Sequence, residues 1–147
     1  SHVNYGFFAH QDYIEHTPIE QWQLIEFQAN ARLSNWLQDL IHQHSYPVIL
    51  SSNDLYITYS SVCKKLGIAI LPYFLAAKNP ALLPINPVDR TVMIMNEIVA
   101  TASHAHIDKQ AIPLVQSQPL YVVMHPDVRR SARVRVVAEW LGSVFGK

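Results

Sequence analysis

One cysteine, four glycines and a small share of charged residues set the first limits on this chain. The lone Cys63 excludes an internal disulfide, and its place within a stretch of helical spacing suits a reducing compartment. Four glycines leave no glycine-rich phosphate loop, and no serine stands in a nucleophile elbow. Charged residues make up 15% of the chain, 11 acidic and 11 basic, so there is no electrostatic reason to expect nucleic acid or anionic membrane as a partner of these residues. No apolar run approaches a membrane span, and Ser1 to Gly6 carries no charged-then-apolar leader pattern. These absences predict a cytoplasmic protein without a membrane partner. What is present is 147 residues, 50% of them hydrophobic, enough for one domain with a real core. There are no internal repeats and no low-complexity tracts.

The most legible stretch runs from Ser51-Ser52-Asn53-Asp54 to Gly67-Ile68-Ala69-Ile70-Leu71-Pro72-Tyr73. Tyr46 to Leu50 before it is short, apolar and β-leaning, and the polar cluster supplies oxygens able to cap a helix. That helix is expected to start near Asp54, with Leu55, Tyr59, Val62 and Leu66 on one stripe, Lys64 and Lys65 in its last turn, and Gly67 as its stop. A buried strand over Ile68 to Leu71 follows. Such a β-α-β unit presents backbone N–H groups at the helix N-terminus beside a strand's carboxyl end, where α/β proteins hold small anions or carboxylates.

Elsewhere, Asn4 to Ala9 reads as a strand, His10 to Ile14 as a helical turn, Pro18 to Trp22 as another, and Leu24 to Phe27 as a strand. Ser34 is a candidate cap for a helix over Asn35 to His44 with Trp36, Leu37, Leu40 and Ile41 on its apolar face. Tyr73 to Ala77 suggests a short helix, and Leu82 to Ile85 an edge strand. Thr91 to Met95 and Ile98 to Ala102 read as a hairpin around Asn96-Glu97, and Ser103 to Gln118 as a loop. Pro119 to Met124 is a strand broken by His125-Pro126-Asp127. Arg129 to Phe145 is a helix with Val134, Val137, Ala138, Leu141 and Val144 on one face.

Two separated stretches carry a family resemblance. The first is Ser51-Ser52-Asn53, its helix, and Lys65-Leu66-Gly67-Ile68-Ala69-Ile70-Leu71-Pro72; the second is Leu120-Tyr121-Val122-Val123-Met124-His125-Pro126-Asp127 through Arg135, ending in Glu139-Trp140-Leu141. In this order, with Phe8 to Ile14 and Trp36, the chain resembles the effector-binding domain of LysR-type transcriptional regulators. The resemblance implies an α/β fold, a two-lobed domain similar to periplasmic binding proteins, binding a small-molecule effector between lobes without catalysis or cofactor. Residues 1–10 would be the incoming crossover strand, 10–122 the second lobe, and 123–147 the second crossover with a helix of the first lobe. The rest of that lobe and the winged helix-turn-helix are absent from the sequence, so DNA would be reached through a domain not in this chain. The full-length protein would be a homo-oligomer. Asn86 to Ser117 is longer than the family's usual connection.

On this mapping the effector-binding residues are Ser51, Ser52, Asn53, Pro72 and Tyr73, and the inter-lobe hinge is Ala9, His10, Met124 and His125. One of the three polar residues at the turn caps the helix in any case, and Tyr73 is equally readable as core. The arginines at 129, 130, 133 and 135 read as a solvated face with salt bridges rather than an anion site, because the first half of a helix disfavours positive charge.

Two readings of other kinds remain open. A small metal-dependent hydrolase would use His104-Ala105-His106-Ile107-Asp108, most of a His-x-His-x-Asp-His zinc motif in which Lys109 stands where the last histidine is needed. A protein-interaction module would need no small ligand. The metal reading has a direct check: the purified chain is expected to carry no stoichiometric zinc by elemental analysis, and stoichiometric zinc lost in His106→Ala would overturn that expectation.

Overall fold

The computed structural model describes residues 2–28, 31–93, 115–119, 126 and 131–145. In chain order the elements are β1 (His2–His10), α1 (Gln11–His16), a 3-10 turn (Ile19–Gln21), β2 (Leu24–Phe27), α2 (Ala31–His44), β3 (Val48–Ser52), α3 (Leu55–Cys63), β4 (Ile68–Pro72), α4 (Tyr73–Ala76), β5 (Leu82–Asn86), β6 (Thr91–Val92), β7 (Val115–Pro119) and α5 (Ala132–Phe145). The fold is α/β: a mixed seven-stranded sheet in the order β3-β2-β4-β1-β5-β6, with β7 paired to β1. β2 runs parallel to β3 and β4, while β1 runs antiparallel to both β4 and β5. Residues 4–116 form one compact unit, and residues 1–3 with 117–147 form another.

Within the larger unit β2 and β4 are covered on both faces, and successive side chains serve opposite sides. Phe7, Ala9, Leu24, Ile68 and Ile70 pack with Leu33, Trp36, Leu37 and Leu40 of α2. Phe8, Ile25, Ala69 and Leu71 pack with Val62 of α3 and Ala76 of α4. Phe7 meets the Trp36 ring edge-on at 4.5 Å. All of β4 is buried, which is why it reads as a continuous apolar run, whereas β3 at the border of the sheet leaves Val48 and Ile49 exposed.

Several boundaries differ from those the sequence suggests. α2 begins at Ala31, and Ser34 lies inside it instead of capping it, because Leu33 shares the buried stripe with Trp36, Leu37 and Leu40 and carries the helix one turn further back. α3 is capped by Asp54, but it ends at Cys63, so Lys64 and Lys65 follow it and Leu66 is exposed rather than part of its stripe. The left-handed residue after the helix is Lys65, at φ 67°, and not Gly67. Gly67 is needed for a different reason: a Cβ there would lie 2.7 Å from the Gln23 carbonyl oxygen, the acceptor for the Ile68 N–H at 2.9 Å.

Nor is β5 an edge strand, since β1 pairs with it on one side and β6 on the other. Of the Thr91 to Met95 run only Thr91–Val92 is strand, and Ile98 to Ala102 lies outside the described residues. β7 occupies the end of the expected loop and only the first residue of the expected Pro119 to Met124 strand; residues 120–124 lie outside the described residues. α5 is described from Ala132, with Val134, Ala138 and Leu141 half-covered and Val137 and Val144 exposed together with Val136 and Trp140. Among the described residues no helix is long and apolar enough to cross a membrane.

Two substitutions rank these contacts. Gly67→Ala forces the β2 and β4 backbones apart and is expected to cost about 1–3 kcal/mol. Trp36→Ala empties the centre of the α2 face and is expected to cost about 3–5 kcal/mol. Urea unfolding of both variants checks the order.

Candidate functional site

The connections leaving β2 and β4 diverge. From β2 the chain passes through α2 to β3 on one side; from β4 it passes through α4 to β5 on the other, beyond β1. In an open α/β sheet the crevice at such a reversal, outside the carboxyl ends of the strands, is where ligands bind. Here the sheet itself forks at that point. The β2–β4 ladder covers only Leu24↔Ile68 and Ile25↔Ala69, while the ladders on either side continue to Phe27↔Ser52 and Tyr5↔Pro72.

Four of the expected effector residues stand at the carboxyl ends of the strands beside this fork: Ser51 and Ser52 end β3, Pro72 ends β4, and Tyr73 opens α4. Asn53 is exposed in the turn between β3 and α3. The Tyr73 ring packs edge-on to Phe8 at 5.2 Å. Its hydroxyl lies over Gly6 of β1, so closely that a Cβ on Gly6 would come within 2.8 Å of it. Burial pushes the Tyr73 phenol up to about 12 from an ordinary 10.0.

Two of the open N–H groups at the N-terminus of α3 are already taken. The Asp54 carboxylate accepts from the Tyr56 N–H at 2.7 Å and the Ile57 N–H at 3.2 Å, and Ser52 Oγ accepts from the Asp54 N–H at 3.0 Å. A carboxylate of the protein thus sits where an incoming anion would.

Glu26 is not a residue the sequence analysis singles out, yet it stands one residue past the last β2–β4 pair, in register with Ser51 of β3. It is 9% exposed and accepts from Ser51 Oγ at 2.7 Å, Gln28 Nε2 at 3.0 Å and Gln38 Nε2 at 3.2 Å. The signal for it was there: one carboxylate inside Leu24-Ile25-Glu26-Phe27, in a strand whose two covered faces call for apolar residues.

Other candidates fall elsewhere. Ala9 is fully buried in β1 and pairs with Leu83, while His10 pairs with Leu82 and its Nδ1 accepts from the Asp12 N–H at 3.0 Å, capping α1. Both expected hinge residues thus stand at the carboxyl end of β1, where the chain turns into α1. Met124, His125, His104, His106 and Asp108 lie outside the described residues, as do Arg129 and Arg130. Arg133 and Arg135 are exposed on α5. Among the described residues no group of three or more His, Cys, Asp or Glu side chains is placed to hold a metal ion. Cys63 is half-buried and takes a hydrogen bond from Asn79 Nδ2 at 3.5 Å, a structural role.

The Tyr73 environment makes a pH prediction. A buried phenol with a raised pKa contributes stability that is fully present below the unfolded value near 10.0 and lost as pH rises through about 12. Burial also raises Tyr5, Tyr13 and Tyr46. Tyr73→Phe is therefore expected to flatten part, not all, of the stability loss above pH 10, read from urea midpoints at pH 8 and pH 11. No family model matches this chain, and no curated protein matches it either.

Proposed function

We propose that this chain is a ligand-sensing part of a LysR-type transcriptional regulator. It comprises the second lobe of a periplasmic-binding-protein-like effector domain, with the return strand and helix of the first lobe. A small-molecule effector binds at the carboxyl ends of β2, β3 and β4, against Ser51, Ser52, Asn53, Pro72 and Tyr73, in a cleft whose other wall is supplied by the rest of the first lobe. The chain acts by binding, without catalysis or cofactor. The effector favours one arrangement of the lobes and shifts the equilibrium only as far as its affinities for the two arrangements differ. Oligomer contacts in the full-length regulator carry that shift to DNA-binding domains outside this chain.

The single observation that supports this most is the strand order. β1 is a lone reversed strand between the parallel β4 and β5, the arrangement expected of a strand arriving from another lobe and wedged into a finished set of β-α-β units. A second support is the division of the chain at residues 3/4 and 116/117, which requires two passages between compact units. These passages are close to, but not at, the limits of 10 and 122 that the family resemblance implies. The exposed Val136, Val137, Trp140 and Val144 of α5 suit a helix whose remaining lobe is elsewhere.

Thermal-shift screening against organic acids and amino acids tests the proposal. An effector at roughly 100 times its Kd should stabilise the intact regulator by about 2.7 kcal/mol, stabilise the 147-residue chain only weakly, and lose its effect in Tyr73→Phe. No stabilisation of the intact protein by any compound, with Ser52→Ala leaving regulation untouched, would sink it.

A further inference from the structure

We propose that Glu26 is a recognition group for a cation, and that the ligand received in the fork between β2 and β4 is a small molecule bearing a protonated primary amine. This rests on the ligand site proposed above and adds the chemical class of what binds there.

Glu26 is nine-tenths buried in β2, one residue past the last β2–β4 pair. Its three hydrogen-bond partners among the described residues, Ser51, Gln28 and Gln38, are all neutral. The ion pairs among the described residues, Lys65 and His10 with Asp12, involve residues beyond the opposite ends of these strands. A carboxylate taken out of water is costly unless its charge is met, and neutral donors meet it only in part. Two carboxylate oxygens offer about four acceptor positions, of which the described residues fill three. An ammonium group is a compact donor of three hydrogen bonds and supplies the missing charge and the missing donor together.

The neighbours suit the same guest. Ser51 gives its hydroxyl proton to Glu26 and so presents only lone pairs outward. Gln28 and Gln38 give amide N–H groups to Glu26, and each keeps a side-chain carbonyl oxygen that can accept. An anion fares worse: Glu26 repels it, and Asp54 occupies the α3 N-terminus. A divalent metal ion lacks a ligand set among the described residues.

The test is a 1H–15N correlation titration of the 147-residue chain with 1,4-diaminobutane, n-butylamine and butyrate in the millimolar range at fixed ionic strength. The amines are expected to give saturable shifts confined to amides of residues 26–28 and 51–54, with intermolecular NOEs from ligand methylenes to Ser51 and Phe27. Butyrate is expected to give none. In Glu26→Gln, with a dispersed native-like spectrum, the amine affinity should fall by at least tenfold. If butyrate shifts these amides and the amines do not, the amine assignment is overturned while the ligand site stands. If none of the three compounds shifts them, the assignment fails, and the site reading then depends on the effector screen alone. Amine affinity unchanged in a folded Glu26→Gln overturns the role of Glu26. Should that variant not fold, absence of the NOEs in the unaltered chain does the same.

Discussion

The architecture depends on β2 and β4 lying side by side under two helices at once. Leu24 and Ile25 are fully buried on opposite faces, one beneath α2 and the other beneath α3, and Ile68 and Ala69 repeat the arrangement next door. Burial at about 25 cal/mol per Å² of apolar surface makes this four-residue patch the anchor of both β-α-β units. Gly67 permits it, because any side chain there would meet the Gln23 carbonyl where the two strands first approach. Beyond the patch the two strands are no longer paired, and the polar chemistry of the domain begins where the anchored pairing stops.

How much of this was legible follows the range of the forces involved. The Asp54 cap, the buried β4 and the strand ending at Phe27 depend on neighbours a few residues away, and the sequence shows them directly. The start of α2 was not legible from its cap candidate, since burial of Leu33 outweighs the capping preference of Ser34. The position of β5 depends on β1 and β6, and no local pattern carries such pairing. Glu26 stands out in the sequence as one carboxylate in an apolar strand, but its partners do not, since they come from β3, α2 and the residue after β2.

The two kinds of site evidence pull in different directions, and their chemistry decides between them. The polar turn after β3, taken by itself, looks like an anion cradle. In the folded protein its donors are committed: Ser51 to Glu26, and two N–H groups of α3 to Asp54. Beside that turn, one residue past the last β2–β4 pair, stands one buried carboxylate, Glu26. Tyr73, with its hydroxyl over the bare backbone of Gly6, closes the other flank with a surface that is apolar up to its last atom.

The reversed strand also has a consequence in time. β1 precedes every other strand described here, but its partners include residues 69–72 of β4 and 82–84 of β5, and β7 later still. During synthesis it must wait, with Phe7 and Phe8 uncovered, until the β2 to β4 segment exists, while α2 and α3 can already close over their own strands. Loop-closure entropy favours the nearer pairings first. The strand that leaves the ribosome ahead of the others is the one that slots in late, between walls already standing.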